Sequence, residues 1–154
     1  MSKNSKEQPT TFNPRLKPFG VLVGTWKTVG THPYLPDITL HGHTSFEWFE
    51  GGAFLIMRSE LDSSQFPKGV AIFGSDDAKG EFFKLYFDDR GVSRKYKVSL
   101  SGNVLKWWRD DPDFSQRVTA EISADNNSIV SKGEMSKNKS AWEKDLDLIY
   151  TRVR

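Results

Sequence analysis

From Gly24 to Arg154 the chain is a series of short runs in which apolar and polar residues alternate, separated by clusters of Gly, Pro, Asp, Asn and Ser. A period of two marks strands with one buried face, and clusters of turn formers mark reversals of the chain. Ten runs are legible, over about 25–32, 38–49, 53–60, 68–75, 81–88, 92–100, 103–109, 114–122, 128–135 and 141–153. Pro33 and Pro36 bracket the first connection and Gly51-Gly52 makes the second. Asp88-Asp89-Arg90-Gly91 and Ser101-Gly102-Asn103 supply glycines for tight reversals, and Asp110-Asp111-Pro112-Asp113 and Asp125-Asn126-Asn127 follow. No helical crossover separates the runs, so a parallel sheet is not expected and consecutive strands should pair as an up-and-down meander. The expected fold is all-β: one antiparallel up-and-down barrel of about ten strands, over residues 13–154. Barrel diameter grows with strand number, and about eight strands already suffice to enclose a side-chain core. Ten strands therefore leave a cavity, unless the barrel flattens or large aromatics fill it.

Ahead of the first strand, Asn13-Pro14 and Pro18 suit the start of helical turns, and Leu16, Phe19, Leu22 and Val23 fall roughly on one face. This segment reads as a short helical plug over one end of the barrel, terminated by Gly24. Residues 1–12, rich in Ser, Asn, Lys and Thr, read as a disordered tail.

At 154 residues the chain is long enough for one well-filled domain. It contains no cysteine, which excludes disulfides and thiolate chemistry. Lys3, Lys6, Arg15 and Lys17 against Glu7 give residues 1–18 a net +3, so the total of +2 leaves the barrel at −1. Such a surface has no basic field for phosphates, so no nucleic-acid partner is expected. No apolar run reaches membrane-spanning length and the N-terminal residues contain no apolar leader, so the expectation is a cytoplasmic protein with no membrane partner.

The alternation also assigns faces. In 92–100 the even positions are Val, Arg, Tyr, Val and Leu while the odd ones are Ser, Lys, Lys and Ser, so Arg94 and Tyr96 point inward. In 114–122 the same argument turns Gln116 inward with Phe114, Val118, Ala120 and Ile122. In the last run it turns in Trp142, Lys144, Leu146, Leu148 and Tyr150. Trp107 shares the parity of Leu105 and is placed inside; Trp108 shares that of Lys106 and is placed outside. Polar groups among inward aromatics are what a ligand with a polar or anionic head requires. An inward Arg94 must find a partner, which is either a ligand, an internal acid or solvent at the rim.

His41 and His43 are two apart in one run and so share a face, and His32 ends the neighbouring strand. Three imidazoles with Glu47 form a candidate divalent-metal site. The bland alternative is that both histidines face solvent, because Leu40, Gly42, Thr44, Phe46 and Trp48 make the more apolar face. Nucleotide-binding glycine loops and a Gly-x-Ser-x-Gly nucleophile elbow are absent, and the paired acids Asp88-Asp89 and Asp110-Asp111 lie in turns.

Leu22-Val23-Gly24-Thr25-Trp26 resembles the Gly-x-Trp opening of lipocalin-like (calycin) barrels, in which the Trp closes the base of the barrel beside a short helix. With Phe46–Gly52, Tyr86–Arg94, Phe114–Arg117 and Trp142–Arg152, the chain is similar to an uncharacterised bacterial family of small lipocalin-like proteins, a resemblance that brings no activity or ligand. A more distant likeness is to nitrobindin, whose haem is held by a histidine near the C-terminus. Here the last histidine is His43, so that route to haem has no matching residue and no cofactor is expected.

Three functional readings stand. The first is non-catalytic binding of a small apolar or amphipathic molecule in the barrel, with Arg94, Tyr96 and Gln116 orienting its polar end and Trp26, Phe46, Trp107 and Tyr150 forming apolar walls. The second is a filled barrel acting in interaction or structure, for instance as a homodimer through a patch around Trp108. The third is a metal enzyme built on His41 and His43.

Overall fold

The computed structural model describes residues 12–154. The tail expected over 1–12 lies outside them apart from Phe12, which packs edge-on against Trp48 with ring centroids 5.5 Å apart.

The strands are β1 (Gly24–Thr31), β2 (Leu40–Phe49), β3 (Phe54–Leu61), β4 (Gly69–Asp76), β5 (Glu81–Asp88), β6 (Ser93–Ser101), β7 (Val104–Arg109), β8 (Ser115–Ile122), β9 (Ser128–Ser136), β10 (Glu143–Lys144) and β11 (Asp147–Arg152). From β1 to β9 each strand pairs antiparallel with the next, and β11 lies between β9 and β1, closing the ring. The result is a closed barrel of ten antiparallel staves, the last made of β10 and β11 in succession. Among the described residues no helix is long and apolar enough to cross a membrane.

That last stave departs from expectation. Lys144 opposes Glu134, whereas Leu148 opposes Ser131, so one extra residue is accommodated between them. This is a β-bulge, and it switches which parity faces inward. Gly133 opposes it, since a Cβ there would come within 2.8 Å of the Leu146 carbonyl oxygen. Lys144 therefore points to solvent, with its side chain 76% exposed, and Asp145 turns in at 14%. Trp142, expected in the core, lies instead against the Arg117 guanidinium on the outer surface, 3.8 Å from ring centre to Cζ.

The N-terminal plug is one 3₁₀ helix, Pro14–Leu22, capped by the Asn13 side chain, which accepts from the Arg15 N–H at 3.0 Å. Two prolines remove donors that an α-helix needs, and the fully buried Leu16, Phe19 and Leu22 recur every three residues, the repeat of a 3₁₀ helix. The plug closes the end that holds the β2–β3, β4–β5, β6–β7 and β8–β9 turns. Asn13 N–H donates to the Gly52 carbonyl and Asn13 Nδ2 to Ser75 Oγ. Beneath it Phe19 packs on Phe82 and Phe73, and Phe73 on Phe46, with centroids 4.9, 6.0 and 6.2 Å apart. This half of the barrel is solid aromatic core.

Candidate functional site

The other half is hollow. A cavity of about 420 Å³ opens at the end carrying the β1–β2, β3–β4, β5–β6 and β7–β8 connections. Its origin is a difference in side-chain size between two walls. Thr28, Thr44, Ser59, Ala71 and Ser131 line one side, and Tyr86, Tyr96, Trp107 and Phe114 the other. The five short side chains do not reach across, so the large rings face open space.

Of the residues expected to bind a ligand, Arg94, Tyr96, Gln116, Trp107 and Tyr150 line this cavity together. Trp26 and Phe46 do not: both are buried inside the barrel, but at the plugged end. Trp26 Nε1 donates to the Leu22 carbonyl at 2.9 Å, fastening the plug to β1. Strand parity says inside or outside; it does not say how far along the barrel axis a ring lies.

A hydrogen-bonded chain runs across the mouth. The Tyr96 hydroxyl donates to Gln116 Oε1, Gln116 Nε2 donates to Asp145 Oδ2 at 2.9 Å, and Asp145 Oδ1 is 3.0 Å from His32 Nε2. His32 Nδ1 accepts from the Tyr34 N–H at 3.0 Å, so Nε2 carries the proton given to Asp145. Burial pushes the Tyr96 hydroxyl up, so it remains a donor. Asp145 thus holds two donors, one from β8 and one from the end of β1. Asp145→Ala strands both, one of them on a histidine only 6% exposed, and should cost about 2 kcal/mol in urea unfolding, with Asp145→Asn costing less because one acceptor oxygen remains.

Two cations of the rim are paired with acids. Arg90 bonds Asp88 at 2.7 Å and holds that carboxyl well below the usual carboxylate range, and Arg109 lies 3.4 Å from Asp111. Arg94 has no acid partner among the described residues; its guanidinium rests on the Phe114 ring at 4.8 Å. Deeper in, Lys84 is 4% exposed, and its Nζ faces Trp107, Tyr96 and Phe73 at 3.5, 4.9 and 5.9 Å from their ring centres. Burial alone lowers its pKa well below the ordinary lysine value, with no carboxylate to hold the charge. Thr28 Oγ1 is buried with no hydrogen-bond partner among the described residues.

Sequence reasoning did not single out Lys84, Asp145 or Thr28. Lys84 shares the parity of Phe82 and Tyr86, but Phe83, Leu85 and Phe87 make the opposite face as apolar, so the pattern does not mark it as inward. His32 shares the parity of Trp26, which turns it into the barrel and away from the histidines of β2.

His41 and His43 lie exposed on the outer face, where His43 is flanked by Lys27 and Glu60 across the sheet. Glu47 is ion-paired with Arg58. The structure does not bring the three histidines together, and no cluster of three metal-ligating side chains occurs among the described residues. The C-terminal histidine that holds haem in nitrobindin-like barrels has no counterpart here. No histidine lies on β6–β11, and both ring nitrogens of the cavity-lining His32 are engaged. Trp108, expected to mark an exposed patch, is half-buried.

The barrel has a solved counterpart. The crystal structure of Rv2717c from M. tuberculosis superposes with a TM-score of 0.66 over 93% of this chain and 99% of that one. Sequence identity is 13%, so the likeness is one of fold. No protein-family model and no curated protein matches the chain by sequence.

Proposed function

We propose that this barrel binds a small, partly apolar anion in its cavity without transforming it. The observation that carries the reading is a cavity with a cation at its mouth that no carboxylate among the described residues neutralises, Arg94 against Phe114 and Tyr96, and an unpartnered buried hydroxyl within, that of Thr28. A buried polar group without a partner is costly, and a ligand that supplies one recovers the difference. The volume of about 420 Å³ suits a small molecule, and the mixed lining of rings and a few polar groups is typical of such sites. Arg94, Tyr96 and Gln116 orient the head; Trp107, Phe114 and Tyr150 cover the apolar body. We keep within this proposal the lipocalin-like relationship suggested by Gly24-Thr25-Trp26, for which the Trp26 contact to the plug gives support.

Thermal-shift and calorimetric titration with medium-chain fatty acids and aromatic carboxylates, each beside its alcohol, tests the reading. Carboxylates should raise the melting temperature and their alcohols should not. Arg94→Gln should weaken carboxylate binding about tenfold or more, the loss of one charge-assisted hydrogen bond, while barely moving the melting temperature of the unliganded protein. Equal affinity for acid and alcohol, or no shift with any of them, overturns it.

A further inference from the structure

We propose that Lys84 captures the carbonyl group of an aldehyde-bearing ligand as an imine, making the cavity a covalent but reversible carbonyl-binding site. The inference rests on the reading of the cavity as a binding site and names the class of molecule it takes.

The geometry is specific to this lysine. In the sheet Lys84 stands directly opposite Phe73 on one side and Tyr96 on the other, and Trp107 reaches over from β7. Three ring faces therefore exclude water from the amine, and its side chain lines the cavity, where a ligand can reach it. Lysines elsewhere on the barrel, such as Lys97, Lys106 and Lys132, lie exposed. Among the described residues Lys84 has no ion pair, and burial lowers its pKa, which favours the neutral, nucleophilic form of the amine. A charged, purely structural lysine would gain the three ring faces as cation–π partners but bear the desolvation cost in full. An unbranched apolar side chain fills the same volume without that cost.

The bond changes close without any further reagent. The Nζ lone pair forms the N–C bond as the carbonyl π pair moves onto oxygen, and a proton passes from nitrogen to that oxygen. The C–O bond then breaks, the hydroxyl leaves as water with the second nitrogen proton, and C=N remains. No oxidant or reductant takes part, and added water reverses the reaction.

The position of Arg94 refines the ligand class. Tyr86 opposes Arg94 and Lys84 opposes Tyr96, so Arg94 is the diagonal neighbour of Lys84, one pleat repeat nearer the mouth. An aldehyde held by Lys84 with a carboxylate at Arg94 requires an apolar spacer between the two groups. A planar aromatic ring supplies such a spacer, in a cavity walled by Tyr86, Tyr96, Trp107 and Phe114.

The probe is 4-formylbenzoate, incubated with the full chain at pH 7.5 together with cyanoborohydride, which reduces an imine to a permanent amine. Intact-mass analysis and peptide mapping should give one adduct per chain on Lys84, formed at least tenfold faster than on any other lysine and lost in Lys84→Met. The non-aldehyde 4-methylbenzoate should slow the labelling by competition. Adducts spread over surface lysines, or none, overturn the proposal. If 4-methylbenzoate still raises the melting temperature in that case, only the imine falls; if it produces no shift either, the binding reading falls with it.

Discussion

Arg152→Ala is expected to destabilise the barrel by about 3–4 kcal/mol, roughly a 10 °C drop in melting temperature for a domain of this size. Arg152 closes the ring at the plugged end. Its Nη1 donates to the Val23 carbonyl at 2.6 Å and its Nη2 to the Val21 carbonyl at 2.7 Å, binding the end of the plug to the last strand. Nε and Nη2 also donate to the Asn126 carbonyl in the β8–β9 turn, at 3.1 and 3.0 Å. The guanidinium covers the Trp26 ring at 4.2 Å. Water replaces the exposed Asn126 contacts at little cost, so the loss falls on the two half-buried carbonyls and the face of Trp26.

Gly24 supplies a cross-check on that estimate. It adopts φ +135°, and a Cβ there would lie 2.6 Å from Arg152 Nη1. Gly24→Ala should therefore displace the same guanidinium, and the double variant should cost clearly less than the sum of the two single ones. Denaturant unfolding of the three proteins measures this directly; strict additivity would show that Arg152 does not act through the contacts described.

Much of this architecture was legible from residue order, for reasons that also explain what was not. β6 and β8 alternate between apolar and charged positions, so a period of two assigns Arg94, Tyr96 and Gln116 to the interior without ambiguity. In β5 both faces are largely apolar: Phe82 and Tyr86 point in, while Phe83, Leu85 and Phe87 lie on the other face. Alternation carries no information there, and Lys84, the most unusual residue of the cavity, escapes notice. The bulge before β11 is a one-residue event with no compositional mark, and it reversed the assignments of Trp142, Lys144 and Asp145. Whether the interior was filled or hollow had no single answer in the pattern. It is filled where Phe19, Phe46 and Phe73 meet and hollow where threonines, serines and Ala71 face the rings.

Lys84→Met is expected to stabilise the protein at pH 7 by about 4–5 kcal/mol, and the gain should shrink as the pH rises toward 10. Methionine fills nearly the same volume and has no charge to desolvate. In the folded protein burial depresses the Lys84 pKa; in the unfolded chain the amine titrates near the ordinary value of about 10.4. Between those two values the unfolded state binds more protons, so wild-type stability climbs with pH, by at most about 1.4 kcal/mol per unit. Below the folded value the slope vanishes and the full penalty is present. Above about pH 10 the trend reverses, because burial pushes the Tyr86 and Tyr150 hydroxyls up and the unfolded tyrosines ionise first. Both proteins share that falling limb, so the difference between their stability curves isolates Lys84. Urea unfolding at intervals from pH 6 to 10 reads it out. A constant gap across that range would mean that Lys84 carries its proton in the folded state, and would remove the neutral amine on which carbonyl capture depends. A gap that is already closing below pH 7.5 would establish the amine as neutral before any ligand is added.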